Sequence, residues 1–351
     1  MNTSAFTRRA VLKSSSALAT LASPFAARAQ APQAGSFLLT NPTVDSATVL
    51  EGDDAKTIEI TPSPWGAVVG SNGRAYVSSA QELAIVDTEQ SFVFGTVPYR
   101  TLIDQVGYGE YRSGGMGIAA TPDGKWVAVG LHMNGSNGLV ELFDVEAGTF
   151  VATVPVGVRP FDVVASPDSK YVYSIDHDSF TITAIELATQ AVTTIDAAPL
   201  GSGEFDKPHY AAVRSDGMLL LPYVGQLLWI LDPATGESSS IPMTAETHQH
   251  GITLKDDETT AYIVGTGPAG PAQGPPSLTI LDLETGDQRI IQLELPHEQV
   301  ALSKDGKTAI LTGGYTFADG GWDGVTIIDL ETEELFTLEI PGRPLAIRRS
   351  S

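Results

Sequence analysis

Six histidines are spread through the chain, and three of them occupy matched places. His209 in "KPHYAAVRSDG", His250 in "HGITLKDD" and His297 in "PHEQVALSKDG" each open a short apolar stretch that ends in a polar turn carrying an Asp. Neutral imidazole is the commonest side-chain metal ligand. Three imidazoles with a neighbouring carboxylate suit a divalent metal such as zinc, with a position left open for water or a ligand. Counting back from the turn aspartates Asp216, Asp257 and Asp305 aligns His209, His250 and Glu298. Counting from Ser215 and Ser303 aligns His209 with His297 instead. A one-residue slip reverses the side a residue faces, so the third ligand is His297 or Glu298. Asp206 supplies a further carboxylate, and His248 lies two residues before His250. Arg159 and Arg343 both precede a proline at matched positions, where a guanidinium either pairs with one of the chain's many acidic residues, the favoured expectation, or receives a carboxylate or phosphate of a ligand. A histidine opening a strand can equally cap a carbonyl or pack on an aromatic ring. The corresponding places elsewhere hold Trp65, Met116, Phe161 and Leu345, so the pattern itself does not prescribe histidine. His132 and His177, each nine residues after a turn Asp (Asp123, Asp168), are read as groups that tie down a loop.

These residues need a scaffold that gathers distant segments. The chain alternates apolar and polar residues in short runs rich in Val, Ile, Thr and aromatics, the signature of half-buried β-strands. Helical periodicity is confined to "YRTLIDQVGY" near Leu102. An apolar pair, an acidic residue and a turn recur seven times, at Glu51, Asp87, Asp144, Glu186, Asp232, Asp282 and Asp329. The carboxylate would end a third strand and accept N–H groups of the turn into a fourth. The spacing, 36 to 57 residues, is in or near the range of propeller blades. The expectation is an all-β, seven-bladed β-propeller with four antiparallel strands per blade. "GRPLAIRR" at the C-terminus reads as an innermost strand with no successors, and the N-terminal "SFLLT", "SATVLE" and "KTIEI" as three strands without one. Together they would complete the last blade and remove an open sheet edge. All six histidines then map to one face, with the long connections 97–115, 199–208, 265–277 and 315–324. Long loops on one face of a rigid scaffold commonly carry function.

"SPDSKYVYSIDHDSFTITAIELATQ" and "TPDGKWVAVG" resemble the Tyr-Val-Thr-Asn (YVTN) type of β-propeller repeat of exported bacterial proteins. The broader superfamily includes amine dehydrogenase heavy chains, the haem-d1 domain of nitrite reductase and seven-bladed lactonases. The resemblance is strongest over residues 115–195 and implies a fold; activity depends on the site grafted on it.

Residues 1–29 read as an export signal: a basic "TRRAVLK", an apolar run and a small-x-small end at Ala27–Ala29. The Arg8-Arg9 pair with Val11, Leu12 and Lys13 resembles a twin-arginine signal, which places residues 30–351, a single propeller domain, in the periplasm or outside the cell. Without the four basic residues of the signal, 16 basic face 42 acidic side chains, a formal charge of −26. Such a surface repels nucleic acid and anionic lipid. The absence of cysteine excludes disulfides, thiolate metal sites, covalent haem c and a cysteine nucleophile. No phosphate-cradling loop, dinucleotide fingerprint or G-x-S-x-G elbow is present. After the signal no apolar run is long enough to span a membrane. Three functions fit: an exported binding protein with an axial pocket for a divalent metal or small anion, working with another periplasmic protein; a metal-dependent lactonase, lyase or hydrolase using the same pocket; and an interaction platform without a small ligand.

Overall fold

The computed structural model describes residues 34–201, 207–223, 226–245, 251–265, 274–314 and 321–350. Seven four-stranded antiparallel sheets are arranged as the blades of a propeller, as the sevenfold marker requires. The first blade is Ala67–Val69, Ala75–Ser78, Glu82–Asp87 and Phe92–Pro98, from the axis outward. Blades two to six follow as residues 114–155, 160–196, 212–242, 252–292 and 300–339. The seventh pairs the C-terminal Ile347–Arg349 with Ser36–Asn41, then Ser46–Glu51 and Asp54–Glu59. Its closing register sets Phe37 opposite Arg349 and Leu39 opposite Ile347, and Ser350 N–H donates to Ser36 O at 2.8 Å.

Side-chain period dictates this stacking. The middle strands of a blade are largely buried on both faces, inner strands such as Ile252–Leu254 are half-buried along the axis, and outermost strands such as Phe92–Pro98 and Leu335–Glu339 alternate exposed and half-buried. A sheet with two apolar faces must share both with neighbours. One core therefore mixes Val154 and Val156 of the second blade with Val163 and Ile185 of the third, and another mixes Phe37 and Leu50 of the seventh with Ile310 and Ile327 of the sixth. The marker aspartates hold the outer turns as expected. Asp144 Oδ1 accepts Ala147 N–H at 2.9 Å, and Asp282 Oδ1 accepts those of Glu284 and Thr285 at 2.9 and 2.8 Å.

The segment with helical periodicity near Leu102 is irregular. The buried Glu141 carboxylate accepts the N–H groups of Arg100 (2.7 Å) and Thr101 (2.8 Å), fixing the chain as a loop against the second blade. The only helical element among the described residues is the short 3-10 turn His177–Ser179. No helix among them is long and apolar enough to cross a membrane. Residues 1–29, the expected signal, lie outside the described residues.

Candidate functional site at the loop-bearing mouth

Inner strands run from the face of the long loops toward the opposite face, and their first residues converge on the axis. Trp65, Met116, Phe161, Tyr210 and Leu345 form one buried cluster there. Phe161 packs edge-on to Trp65 (centroids 6.0 Å) and to Tyr210 (5.3 Å). Glu298 joins this layer: it is 3 % exposed, and its Oε1 accepts the Tyr210 hydroxyl at 2.9 Å. Burial, with the Glu298 charge beside it, raises the Tyr210 pKa well above its ordinary value. The axis is thus plugged by aromatic and aliphatic side chains.

The fourth blade contributes Tyr210 to this plug, one residue after His209. Its inner hairpin is a residue shorter than those of its neighbours: Arg214 N–H reaches Met218 O, four residues on, whereas Ser166, Lys255 and Ser303 reach five residues on. Counting from the turn aspartate is therefore out of step in that blade. In the sixth blade Glu298 turns to the axis. His297 turns into the blade, 2 % exposed, with Nε2 bonded to Thr326 Oγ1 at 2.8 Å and its ring edge-on to Trp322 at 5.7 Å. Burial pushes the His297 pKa down to about 3.

His209 instead stacks on His177, with centroids 4.2 Å apart and rings 13° from parallel, and lies 4.5 Å from the Phe161 ring. The structure thus does not bring His209 and His297 against common neighbours. His250, His248 and Asp206 lie outside the described residues. Among the described residues, no group of three His, Cys, Asp or Glu side chains could hold a metal ion.

The described polar centre of the mouth is Arg159. Its residue is 0 % exposed and left-handed, φ 57°, immediately before Pro160. That conformation is costly for a residue with a Cβ, more so before proline, and it persists only where surroundings over-determine it. Arg343 before Pro344 repeats it at φ 52°; its N–H donates to Asp323 Oδ1 at 2.9 Å. A bulge between Pro160 and Asp162 follows Arg159 and re-aims the inner strand of the third blade.

Arg159 Nε meets Asp178 Oδ2 at 2.9 Å, Nη2 meets Asp178 Oδ1 at 3.2 Å, and Nη1 reaches Glu110 Oε2 at 3.5 Å. The guanidinium lies 4.4 Å from the Tyr111 ring centroid and against the His177 imidazole. His177 Nδ1 lies 2.8 Å from Asp178 Oδ1 and is also the ring nitrogen nearest Arg159 Nη2, so the carboxylate and the guanidinium meet the same edge of the imidazole. Burial, reinforced by the Arg159 charge, outweighs Asp178 and pushes the His177 pKa down to about 4, so the ring is neutral at neutral pH. Burial works to raise the Asp178 carboxyl, but His177, Arg159 and Lys207 together hold it well below the usual carboxylate range. Lys207 Nζ donates to Asp178 Oδ1 at 3.1 Å. The result is a buried guanidinium clamped on one side by a fixed carboxylate and touched on the other by a longer, partly exposed one. The His177–His209 stack and a lysine stand beside it.

His132 has the tethering part expected of it: Nδ1–H donates to Arg112 O at 2.8 Å. Arg112 is spent on structure, donating to Ser63 Oγ (2.7 Å), Ser63 O (2.9 Å) and Gly115 O (2.6 Å). Sequence reasoning missed Asp178, Glu110 and Tyr111. "HD" at 177–178 was a usable signal, since a carboxylate adjoining a loop histidine can orient it; Glu110 and Tyr111, within a long loop, gave none.

No family model matches the chain, and no curated protein sequence matches it. Solved structures do. The chain is similar to a functionally unknown protein from Desulfotomaculum acetoxidans DSM 771 at 11% identity and TM-score 0.66, over 90% of this chain and 98% of that one. It is similar to the dihydro-heme d1 dehydrogenase NirN in complex with DHE at 15% identity and TM-score 0.60, over 92% and 76%. It is also similar to Kuenenia stuttgartiensis hydrazine synthase at 18% identity and TM-score 0.55, over 76% and 77%. At these identities the likeness concerns the fold alone, and it makes this chain a seven-bladed β-propeller with neighbours of that type.

Proposed function

We propose that the protein is an exported binding protein that takes a small anionic ligand, a carboxylate or phosphate, at the loop-bearing mouth. The observation that carries this reading is the unequal pairing of Arg159. A fully enclosed arginine in a strained backbone needs a partner. Asp178 holds its Nε edge at 2.9 Å, while Glu110 only approaches Nη1 at 3.5 Å from a long loop. Glu110 acts as a placeholder: an incoming carboxylate or phosphate takes its place on the fork, and the guanidinium stays neutralised throughout. Lys207 adds attraction at the rim, and Tyr111 covers the guanidinium from outside. Asp178 orients both Arg159 and His177 and remains in place.

Isothermal titration with succinate, citrate and inorganic phosphate tests the reading. Binding should be lost in Arg159→Ala and strengthened in Glu110→Gln. Binding unchanged in both variants would refute it. A divalent metal at the same mouth would draw on His209 with His250 and Asp206, the last two outside the described residues. Elemental analysis of the dialysed protein beside a His209→Ala, His250→Ala variant decides that reading. Export is tested by replacing Arg8 and Arg9 with lysine, which should leave the protein in the cytoplasm.

A further inference from the structure

The plug separates the loop-bearing mouth from a second space. Immediately beyond it, inner strands crowd the axis so closely that side chains must be small. A Cβ on Gly117 would come within 2.4 Å of Asp162 Cα, and one on Gly251 within 2.6 Å of Gln299 Cα. Gly251, with Ala211, Ala212 and Ala301, lines a cavity of about 410 Å³, which opens where Asp256 and Arg349 mark the opposite face. Asp162, Gln299 and Arg348 reach into it.

Its charges are not matched internally. At the opening Arg349 Nη2 pairs with both Asp256 oxygens at 3.1 Å, so that pair is satisfied. Deeper, Arg348 Nη1 donates to Gln299 Oε1 and Ile347 O, both at 2.8 Å. Among the described residues no carboxylate lies within ion-pair distance of Arg348. Asp162 is buried, and among the described residues its oxygens accept only backbone N–H groups, from Val163 at 2.9 Å and Ala211 at 3.3 Å. Burial, opposed by the more distant charge of Arg348, brings the Asp162 pKa up to about 6. A cation and a carboxyl therefore line one cavity without meeting. Leaving opposite charges apart in a partly dry space is unfavourable unless something bridges them.

We propose that this channel binds a small zwitterion, an amino carboxylate whose carboxylate takes the Nε–Nη2 edge of Arg348 and whose ammonium group takes Asp162. A simple anion would satisfy Arg348 and face Asp162; a simple cation would do the reverse. A ligand bearing both ends pairs each, and the small residues along the wall leave room for its carbon skeleton. This site lies across the plug from Arg159 and does not depend on what binds there.

The test is calorimetric titration of the full chain with glycine, β-alanine and γ-aminobutyrate, which space the two charges differently, against acetate, methylammonium and phosphate. At least one amino carboxylate should bind about tenfold or more tightly than acetate or methylammonium, as expected when a second charge-assisted contact is added. Arg348→Gln and Asp162→Asn should each weaken it by about tenfold or more, while Arg289→Gln, on an outermost strand, leaves it unchanged. Circular dichroism and unfolding midpoints establish that each variant is folded; Arg348→Lys, which keeps the charge and loses the fork, should fall between. Acetate or phosphate binding as tightly as the amino carboxylates, no binding at millimolar concentration, or folded variants with undiminished affinity would each overturn the proposal.

Discussion

Two arginines near the axis are treated in opposite ways. Arg159, at the loop-bearing mouth, is fully enclosed and meets Asp178 and Glu110. Arg348, on the other side of the plug, is half-buried and meets an amide and its neighbour's carbonyl. The difference follows from where their carboxylates come from. At the mouth, loops and strand connections deliver acidic side chains from the second and third blades to one point. In the channel the two unmatched charges, Asp162 and Arg348, both come from inner strands, beside small residues such as Gly251, Ala211 and Ala301. Loops can bring a partner to a charge; inner strands hold charges at fixed separations. The mouth is consequently neutralised before any ligand arrives, and the channel is not.

The strongest way to break this comparison is to remove the partition. Phe161 touches Trp65, Tyr210, His177 and His209. Phe161→Ala should cost about 4 kcal/mol of stability, as for other buried aromatics, and should join mouth and channel into one space. Urea unfolding measures the loss; a cost below about 1 kcal/mol would mean that the plug can collapse onto itself and does not divide the axis.

The arginines themselves come next. Arg159→Ala empties an enclosed position and leaves Asp178 with Lys207 and His177 alone, and should cost about 2 kcal/mol. Arg348→Ala removes a side chain with no carboxylate partner and should cost less than about 1 kcal/mol. Equal losses in the two variants would show that Arg348 has an electrostatic partner after all and would erase the contrast.

How much of this was legible in the sequence follows the same division. Closure of the ring, the identity of the composite blade and the turn-holding carboxylates all came from the repeat, because strand period and blade stacking are written in every copy. Register along the axis was legible only where hairpins have equal length. The six-residue spacing from Tyr210 to Asp216, against seven from Phe161 to Asp168, is visible in the sequence but can be interpreted only once the shorter turn is known. The His297/Glu298 alternative needed the fold, since either side chain satisfies the pattern until Thr326 and Trp322 are brought alongside. Glu110 and Tyr111 had no pattern at all; a long irregular loop is positioned by contacts with other blades, such as those of Glu141, and not by its own periodicity.

Acid should act in opposite senses on the two sides of the plug. His177 titrates near pH 4 in the folded protein against 6.5 in a free chain, so the unfolded state takes up protons first. Its contribution is complete above about pH 6.5 and is lost as pH falls toward 4, amounting to about 2 kcal/mol between pH 6.5 and 5. Asp162 titrates near pH 6 against 3.8, so the folded state takes up protons first and acidification from pH 6 toward 3.8 adds stability. His177→Gln should therefore flatten the acid loss, and Asp162→Asn should raise stability at pH 8 and remove the acid gain. Urea midpoints across this range check both; shifts of the same sign in the two variants would contradict the opposed environments.

The smallest expected effect bears most directly on the mouth. Glu110 is partly exposed and its contact with Arg159 is long, so Glu110→Gln should change stability by less than about 0.5 kcal/mol, the range of surface ion pairs. Its effect should appear in binding. With the placeholder's charge gone, Arg159 Nη1 loses a competitor, and anion affinity should rise several-fold while Asp178 keeps the guanidinium in position. Raising the ionic strength should shrink that gain, because the removed repulsion lies partly in solvent. Loss of stability comparable to that of Arg159→Ala would instead make Glu110 a second permanent clamp, and the mouth would then be as closed to exchange as its paired charges suggest at first sight.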